Sequence, residues 1–560
     1  MTIGKAKDNS CVSIILASFL VFLIATVFSV GSLSLFFRLP LTPLHFPVEV
    51  LLSSLFTILI FKNQRLSNRL LAISLGVGLI ILSMGIFSNT FDYSYDAVAY
   101  HKLAIGHLAH GWTPPSETVS EFSRTSSLDL AAESQAIWLE HYAEGPWIFS
   151  ASIYALTNSI ESSKILTIIL IISLFLYLKT KLNSLGFSKF NSIMLSTFVA
   201  LSPAALTQIF TFYVDGALAV SLYFVCLSLV FFLKSNSNSS HDILIYFASV
   251  IICCNVKFTG IPFALLFSCL IIAGYLLANY FKNNTFFDAK INLKNIFYIT
   301  GIFLFAISVV GGPVYINNTL DHGNPFYPLM GKNKTDIISP FQPKSFSHMN
   351  PYKKFTLAFF SHTGNETHEK FRLKIPGTFN FTLAELAPGC GSRAGFGFLF
   401  SLITILSLIG IAFSFKNMGI FAQSMIILFI VGCIILTGIM DGSWMARYTP
   451  YIYAIPLIAL YVTISEKNNI LSNLLIIALC LNLLTFAIHP MYSLVTGYQV
   501  KREISSLKSD QPLHICLNDR YFTSVVYTLH DSNIKYLWKK SLPDKQYIER
   551  LSLYVNSSKN

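Results

Sequence analysis

The chain alternates long apolar runs with short polar segments, and most runs are long enough to form helices that cross a membrane. The first run, from about Cys11 to Phe37, follows Lys5 and Lys7 and predicts a membrane helix that enters from the cytoplasm. It is too long for the core of a signal peptide and has no small-residue cleavage site. The later runs lie at about 45–61, 69–87, 146–158, 164–179, 190–206, 212–233, 242–256, 259–281, 295–315, 396–414, 419–438, 449–464 and 469–488. The pattern therefore predicts an all-α membrane protein.

Basic residues between the runs indicate which loops face the cytoplasm. Lys and Arg cluster at 62–69 and recur near positions 179–181, 234, 282, 416 and 467. The runs at 146–158 and 164–179 are expected to make one net crossing together, for instance with one of them re-entrant. The segments expected outside are about 88–145, 316–395, 441–448 and the tail. The pattern predicts about thirteen crossings.

Composition supports this class of protein and narrows its partners. The chain is 53% hydrophobic and only 12% charged, and its mean hydropathy is +0.60, as in polytopic membrane proteins. The net charge of +12 comes mostly from short loops, where basic residues set orientation. Nucleic-acid binding is therefore not expected, and membrane lipid is the expected surrounding.

The residues after the last run form a different kind of segment. From about residue 499 the chain is polar and basic, with short strand patterns at about 513–517 and 534–537 and helical pieces between and after them. The expected division is a membrane domain over 1–498 and a small α/β appendage over 499–560, on the outer face.

The segment Ser88 to Pro146 is a polar, acid-bearing island between apolar runs. Asp92 and Asp96 lie four residues apart, close to the end of a predicted membrane helix, where carboxylates are costly and usually functional. An aspartate at such a place can take a proton from an acceptor hydroxyl. It can equally cap a helix start, because amphipathic helices are predicted over 97–110 and 127–142. Spacing alone leaves both readings open.

Several short motifs follow one another in a recognisable order: YDAVAYH at 95–101, LAHGW at 108–112, YAEGPW at 142–147, FYVDGAL at 212–218, NVKFTG at 255–260, GGPVY at 311–315, GNPFYP at 323–328, GFG at 395–397 and ARYTP at 446–450. In this order they resemble the GT-C superfamily of integral-membrane glycosyltransferases, over about residues 70 to 460. That superfamily includes protein O-mannosyltransferases, oligosaccharyltransferases and lipid A aminoarabinose transferases.

The resemblance implies a GT-C-like helical bundle whose first outer loop carries amphipathic helices. It implies transfer of a sugar from a polyprenyl-phosphate-linked donor to a glycan, lipid or protein acceptor, with inversion at the sugar carbon. Asp96 would be the catalytic base, with Asp92 beside it. Six further residues would bind substrate: Tyr100, His101, Lys102, Asp215, Lys257 and Arg447. The expected location is the outer face of a bacterial cytoplasmic membrane.

Two departures from the superfamily matter. Relatives often carry a second acid directly after the first aspartate, where this chain has Ala97. A Mg²⁺ or Mn²⁺ ion would then need Asp92, Asp96 and Asp215 to converge, and these ligands would hold it loosely. Relatives also often carry an arginine near position 317, so its contact with the donor phosphate would fall to Arg447, Lys102 or Lys257.

Each cation has a structural alternative. Lys257 fits a lysine whose stem snorkels from a helix end, and Lys102 fits the solvated face of an amphipathic helix. Arg447 fits an interfacial aromatic belt with Trp444 and Tyr448.

Two rival functions also fit the sequence. A transporter or flippase of a lipid-linked sugar would use the same cavity without a base, and an O-antigen ligase or polymerase would depend on outer-loop Arg and His residues.

Overall fold

The computed structural model describes residues 2–114, 116–126, 135–234, 240–283, 293–339, 342–364, 372–389, 391–508, 511–517, 523–539, 542, 545–548 and 553–556. In the first half of the chain the helices are α1 Thr2–Phe36, α2 His45–Ile60, α3 Leu66–Phe87, α4 Lys102–Ala109, α5 Val119–Thr125, α6 Ala136–Leu139, α7 Gly145–Thr157, α8 Leu166–Ser184, α9 Lys189–Ala200, α10 Pro203–Thr207 and α11 Asp215–Lys234. In the second half they are α12 Ser240–Val256, α13 Gly260–Asn283, α14 Leu293–Phe305, α15 Gly312–His322, α16 Pro351–Phe359, α17 Leu383–Leu386, α18 Phe400–Ser414, α19 Ile420–Ile439, α20 Ala454–Ser465, α21 Asn469–Ser506 and α22 Val525–Asp531. The strands are β1 Leu513–Leu517, β2 Tyr536–Trp538, β3 Lys545–Ile548 and β4 Leu553–Asn556.

The chain is an all-α multi-pass membrane protein. Within the described residues, eight helical segments are long and apolar enough to cross a membrane: Cys11–Phe36, Leu66–Phe87, Ile160–Ser184, Asp215–Lys234, Gly260–Lys282, Phe400–Asn417, Ile420–Ile439 and Asn469–Ser506. A ninth is formed if Lys294–Val310 and Gly312–His322, which bend by 76° at their junction, count as one span. Three apolar helices are shorter: His45–Ile60, His241–Val256 and Pro450–Ser465. The predicted number of about thirteen crossings is not confirmed.

Helix α7 lies in the run 146–158, which together with the run 164–179 was expected to make a single net crossing. It begins with Pro146 in its first turn, where proline is well tolerated, and ends at Asn158 in the left-handed conformation. Its first ten residues are all buried, and it packs against α1 and α4. An apolar helix that faces protein has the same sequence pattern as one that faces lipid.

The predicted helix after Asp96 is present but does not lie on a surface. A single π-helical turn, Ala97–His101, leads into α4, and nearly every side chain from Ala97 to Leu108 is buried. The reason is that α7 covers one side of α4 and α22 covers another. Of the second predicted helix, 127–142, the structure describes residues 135–142, which include the short helix α6; its earlier part lies outside the described residues.

The C-terminal strands form one sheet in the order β2-β1-β4-β3, in which β1 and β2 are parallel and the other pairs antiparallel. Helix α21 leads to this sheet and runs without a break through residue 498, where the appendage was expected to begin. Its 38 residues measure about 57 Å, well beyond the ~30 Å hydrocarbon core of a bilayer. Val500 and Ile504 near its end share a buried cluster with Phe91 and Val98. The C-terminal segment therefore packs directly on the stretch that carries Asp92 and Asp96.

The backbone of Gly497 in α21 lies close to this stretch. Its carbonyl accepts a hydrogen bond from the Phe91 amide at 3.0 Å, and a Cβ placed on it would lie 2.6 Å from the Phe91 carbonyl oxygen. We expect Gly497→Ala to lower the free energy of unfolding by about 1–3 kcal/mol, since backbone must move to admit the methyl group. Thermal unfolding of the purified protein measures this effect.

The matched control is Gly85→Ala in α3, where an added Cβ would meet no atom within 4 Å. Alanine is the better helix former, so this variant is expected to keep or slightly raise the unfolding midpoint. Equal midpoints for the two variants would show that α21 and the Phe91 backbone are not in contact.

Candidate functional site

Asp92 ties the acid island to the bundle. Its Oδ1 atom accepts a hydrogen bond from the Ser94 amide at 2.9 Å, and its Oδ2 atom accepts one from the Phe212 amide at 2.6 Å. The residue is 3% exposed. Because Phe212 lies just before α11, these bonds join two segments that are 120 residues apart. The geometry gives Asp92 a structural role, and its predicted catalytic role stays a prediction.

A buried ion cluster lies behind Asp92 and consists of Lys102, Glu161 and Lys164. Glu161 forms a salt bridge with each lysine through a different carboxylate oxygen. Its Oε2 atom also accepts a hydrogen bond from the Asp92 amide at 3.0 Å, and Lys102 donates to the Asp92 carbonyl at 2.6 Å. The three side chains are at most 2% exposed. The solvated position proposed for Lys102 is therefore wrong, and its ammonium group faces protein acceptors.

Asp96 occupies a different environment. It stands at the first position before the π-helical turn but makes no capping hydrogen bond with its side chain, so the capping alternative is not observed. The residue is half-buried, and the Tyr100 hydroxyl donates a hydrogen bond to its carboxylate. Burial raises the pKa of Asp96, while the nearby positive charge of Arg447 opposes that rise. Asp96 is thus a carboxylate held by one tyrosine and reachable from outside.

Asp215 and Lys257 form the second pair in the site. The Lys257 ammonium lies 2.6 Å from Asp215 Oδ1, and Gln208 donates to Asp215 Oδ2 at 3.3 Å. Lys257 stands in the break between α12 and α13, is 8% exposed and lies 4.5 Å from the ring centroid of Tyr448. Burial alone would lower the pKa of Lys257, but Asp215 raises it above its usual value. Lys257 is therefore a paired cation of the site and not a snorkelling lysine.

Arg447 supplies the other cation. It lies in a short 3₁₀ turn, Ala446–Tyr448, and its Nη2 atom donates to the Tyr448 hydroxyl at 3.0 Å. Its guanidinium carbon is 5.9 Å from the ring centroid of Tyr213. Its Nε atom is buried without a hydrogen-bond partner among the described residues. Since the carboxylates of Asp215 and Asp96 both act on the Arg447 charge, the guanidinium belongs to the acid site and not to an aromatic belt.

Aromatic side chains form a wall beside these charges. His101 Nδ1 accepts a hydrogen bond from Trp147 Nε1 at 2.7 Å, which places the histidine proton on Nε2. That Nε2 atom is buried and has no hydrogen-bond partner within the described part of the chain. Burial lowers the pKa of His101 to about 3, so the ring is neutral. The rings of Tyr100 and His101 are 4.4 Å apart, and Tyr142 stacks on Trp147 at 5.7 Å.

The predicted metal site is not assembled in this geometry. No group of three or more His, Cys, Asp or Glu side chains comes together to hold a metal ion in the part of the chain that the structure describes. Asp92 is occupied by backbone amides, and Asp215 is occupied by Lys257 and Gln208. The three carboxylates therefore do not fit a shared divalent ion.

The fold and the site define a multi-pass helical membrane protein with buried acids and cations gathered around one half-buried aspartate. Comparisons of the chain with protein-family models, curated proteins and solved structures find no match.

Five of the predicted residues come together at this place, beside several neighbours that the sequence did not predict as site residues. Asp96, Asp215, Lys257, Arg447 and Tyr100 form the charged site, with His101 in the wall beside it. These neighbours are Gln208, Glu161, Lys164, Tyr142 and Tyr213, and Tyr448, which was expected in an aromatic belt, also lies in the site. Glu161 and Lys164 did carry a signal, because an acid and a base three residues apart at the edge of an apolar run are expensive there.

Proposed function

We propose that the chain is a GT-C-type glycosyltransferase that moves a sugar from a polyprenyl-phosphate-linked donor to an acceptor hydroxyl. The observation that carries this proposal is the position of Asp96. It is a half-buried carboxylate that caps no helix, and the cations of Arg447 and Lys257 act on it. A base next to cations is what displacement of a phosphate leaving group requires.

In the proposed reaction Asp96 accepts the proton of the acceptor hydroxyl as the acceptor oxygen attacks the anomeric carbon. The new carbon–oxygen bond forms while the bond from that carbon to the phosphate oxygen breaks, and the electron pair leaves with the phosphate. Arg447, whose Nε atom has no partner among the described residues, stabilises the negative charge on the leaving phosphate together with Lys257. Attack opposite the phosphate inverts the sugar carbon.

The other residues hold these groups in place. Tyr100 orients the Asp96 carboxylate through its hydroxyl, and Asp215 holds Lys257 at 2.6 Å. The buried wall of His101, Tyr142 and Trp147 packs behind Tyr100 and supports its ring. Asp92 and Lys102 support the island from behind.

The finer points of fold and location belong to the same proposal. The bundle is taken to be GT-C-like, with the site on the outer face of a bacterial cytoplasmic membrane and the C-terminal sheet outside it. Partners are the lipid-linked donor, a glycan, lipid or protein acceptor, and the surrounding membrane lipid.

The direct test is transfer of radiolabelled sugar from polyprenyl-monophosphate and polyprenyl-diphosphate donors to a membrane extract by the purified protein in lipid nanodiscs. The proposal expects labelled product with the configuration inverted at the sugar carbon. Binding of the donors without any transfer would overturn it, and movement of the intact donor across a vesicle membrane would favour a transporter.

Arg447 allows a second test of the same mechanism. We expect Arg447→Gln to lower the transfer rate about 100-fold, because the leaving phosphate loses one charged donor of the kind that stabilises developing negative charge. Single-turnover transfer with saturating donor measures the chemical step. Arg124→Gln, which changes an exposed arginine in α5, is the control and is expected to leave the rate unchanged. An equal rate in both variants would remove Arg447 from the mechanism.

A further inference from the structure

The segment 372–389, which connects the α16 region with α18, turns its apolar side chains outward. Leu373 is 63% exposed, Ile375 76%, Phe381 88% and Leu383 81%. Exposed apolar groups of this size, gathered in one short segment, are unfavourable in water and mark a surface that contacts something else.

Two of the three charged side chains of the same segment, Lys374 and Glu385, point the opposite way, whereas Arg372 at its start is exposed. Lys374 is 7% exposed and donates to the Phe398 carbonyl at 2.8 Å. Glu385 is fully buried and accepts hydrogen bonds from His362 Nδ1 and from the Asn380 amide, both at 2.7 Å. A loop in water has charges outside and apolar groups inside, so Lys374, Glu385 and the four exposed apolar side chains have the inverse arrangement.

The backbone of the segment is also anchored to the protein. The Lys374 amide donates to the Phe360 carbonyl at 2.9 Å, and the Arg372 carbonyl accepts from the His362 amide at 2.9 Å. The ring of Phe379 lies 4.8 Å from that of Phe398. These bonds hold the outward direction of the apolar side chains, because turning them inward would break the contacts of Lys374 and Glu385.

The segment lies beside the two apolar helices α18 and α21. A Cβ on Gly377 would lie 3.0 Å from Leu402 of α18, and α17 packs against α21. The start of α18 is level with Asn482 of α21, whose side chain donates to the Phe396 carbonyl at 2.8 Å. Beyond Asn482, α21 still presents exposed apolar side chains for about 14 Å: Leu484 65%, Ile488 43% and Met491 67%. Exposed apolar side chains are thus present both on the segment and on the part of α21 next to it.

We propose that the 372–389 segment inserts Leu373, Ile375, Phe381 and Leu383 into the acyl region of the bilayer, next to α18 and α21. The segment makes no crossing. It lies in the membrane interface as an amphipathic anchor does, with its exposed apolar side chains among the lipid tails and with Lys374 and Glu385 bonded to protein. This inference does not rest on the proposed enzymatic activity.

The test places a fluorescent reporter at the most exposed of these positions. Phe381→Trp is made in the full chain, and its fluorescence in nanodiscs is compared with that of wild-type protein, which has five tryptophans. Brominated phosphatidylcholine, whose bromine atoms sit on the acyl chains, is expected to remove most of the added signal, whereas aqueous iodide is expected to leave it. Leu484→Trp on α21 is the lipid-facing reference and should behave in the same way.

Tyr547→Trp in β3 is the water-facing reference, because Tyr547 is 41% exposed in the C-terminal sheet. It should be quenched by iodide and unaffected by brominated lipid. The proposal is overturned if Phe381→Trp is quenched as this water-facing reference is. It is also overturned if neither quencher reaches Phe381→Trp, because protein, such as a second copy of the chain, would then cover the segment. Leu383→Trp repeats the measurement should Phe381→Trp fail to reach the membrane.

Discussion

Replacing Asp96 with asparagine is expected to lower the rate of sugar transfer about 1,000-fold while donor binding is retained. A positioned general base contributes roughly 10²–10⁴-fold to a rate, and asparagine has nearly the shape of aspartate but cannot take the acceptor proton. Stability should change little, because the Asp96 side chain caps no helix and is half-buried. A large loss of rate without loss of folding would assign the base.

The measurement is single-turnover transfer from labelled donor, with donor binding followed separately in the same preparation. Asp321→Asn, at an exposed aspartate near the end of α15, is the matched control and should transfer at the wild-type rate. If Asp96→Asn matches this control, the base lies elsewhere in the site.

The pH profile supplies a readout that a purely structural role would not move. The base works only when ionised, so activity is lost as the pH falls through the pKa of Asp96. Burial raises that pKa above its ordinary value of 3.8, and the acid limb of the wild-type profile is therefore expected at a higher pH than an exposed aspartate would give. The residual rate of Asp96→Asn should lack this limb, since asparagine does not titrate.

The helical class of the fold followed from the apolar runs, but the number of crossings did not. Helix α7 and the span Ile160–Ser184 carry comparable apolar runs, yet the first ten residues of α7 are all buried in protein. Hydropathy reports only that water is excluded, and both lipid and protein exclude it. Which helices face lipid depends on contacts between segments that are far apart in the chain.

In the site, likewise, the sequence indicated which residues are candidates for function but not which residues they contact. Asp96, Asp215, Lys257 and Arg447 could each be selected because a charge beside an apolar run is costly. Their partners could not, because Asp215 had no cation near it in sequence and meets Lys257 42 residues later. Lys102 was expected on a solvated face and is instead paired with Glu161, 59 residues away. Contacts between residues so far apart in the chain leave no periodic pattern in the sequence.

Removing the charge of Glu161 is expected to have the largest effect on stability. Glu161→Gln leaves the ammonium groups of Lys102 and Lys164 without their shared counter-charge in a place where the side chains are at most 2% exposed. Loss of one partner of a buried ion pair costs about 3–5 kcal/mol. Thermal inactivation of the purified protein in nanodiscs measures the effect. The control is Glu466→Gln, which changes an exposed glutamate after α20 and should unfold at the wild-type temperature.

A triple variant tests whether the buried ion cluster only stabilises the fold or also takes part in sugar transfer. Replacing a whole buried ion cluster by apolar side chains of similar size is often neutral, so Lys102→Met, Glu161→Leu and Lys164→Met together should recover most of the stability that Glu161→Gln loses. If the cluster only holds the Asp92 backbone in place, the triple variant transfers sugar at close to the wild-type rate. A stable triple variant with weakened donor binding would instead indicate that Lys102 binds the donor. Of the three replaced residues, Lys102 is the one that the sequence predicts in the donor site.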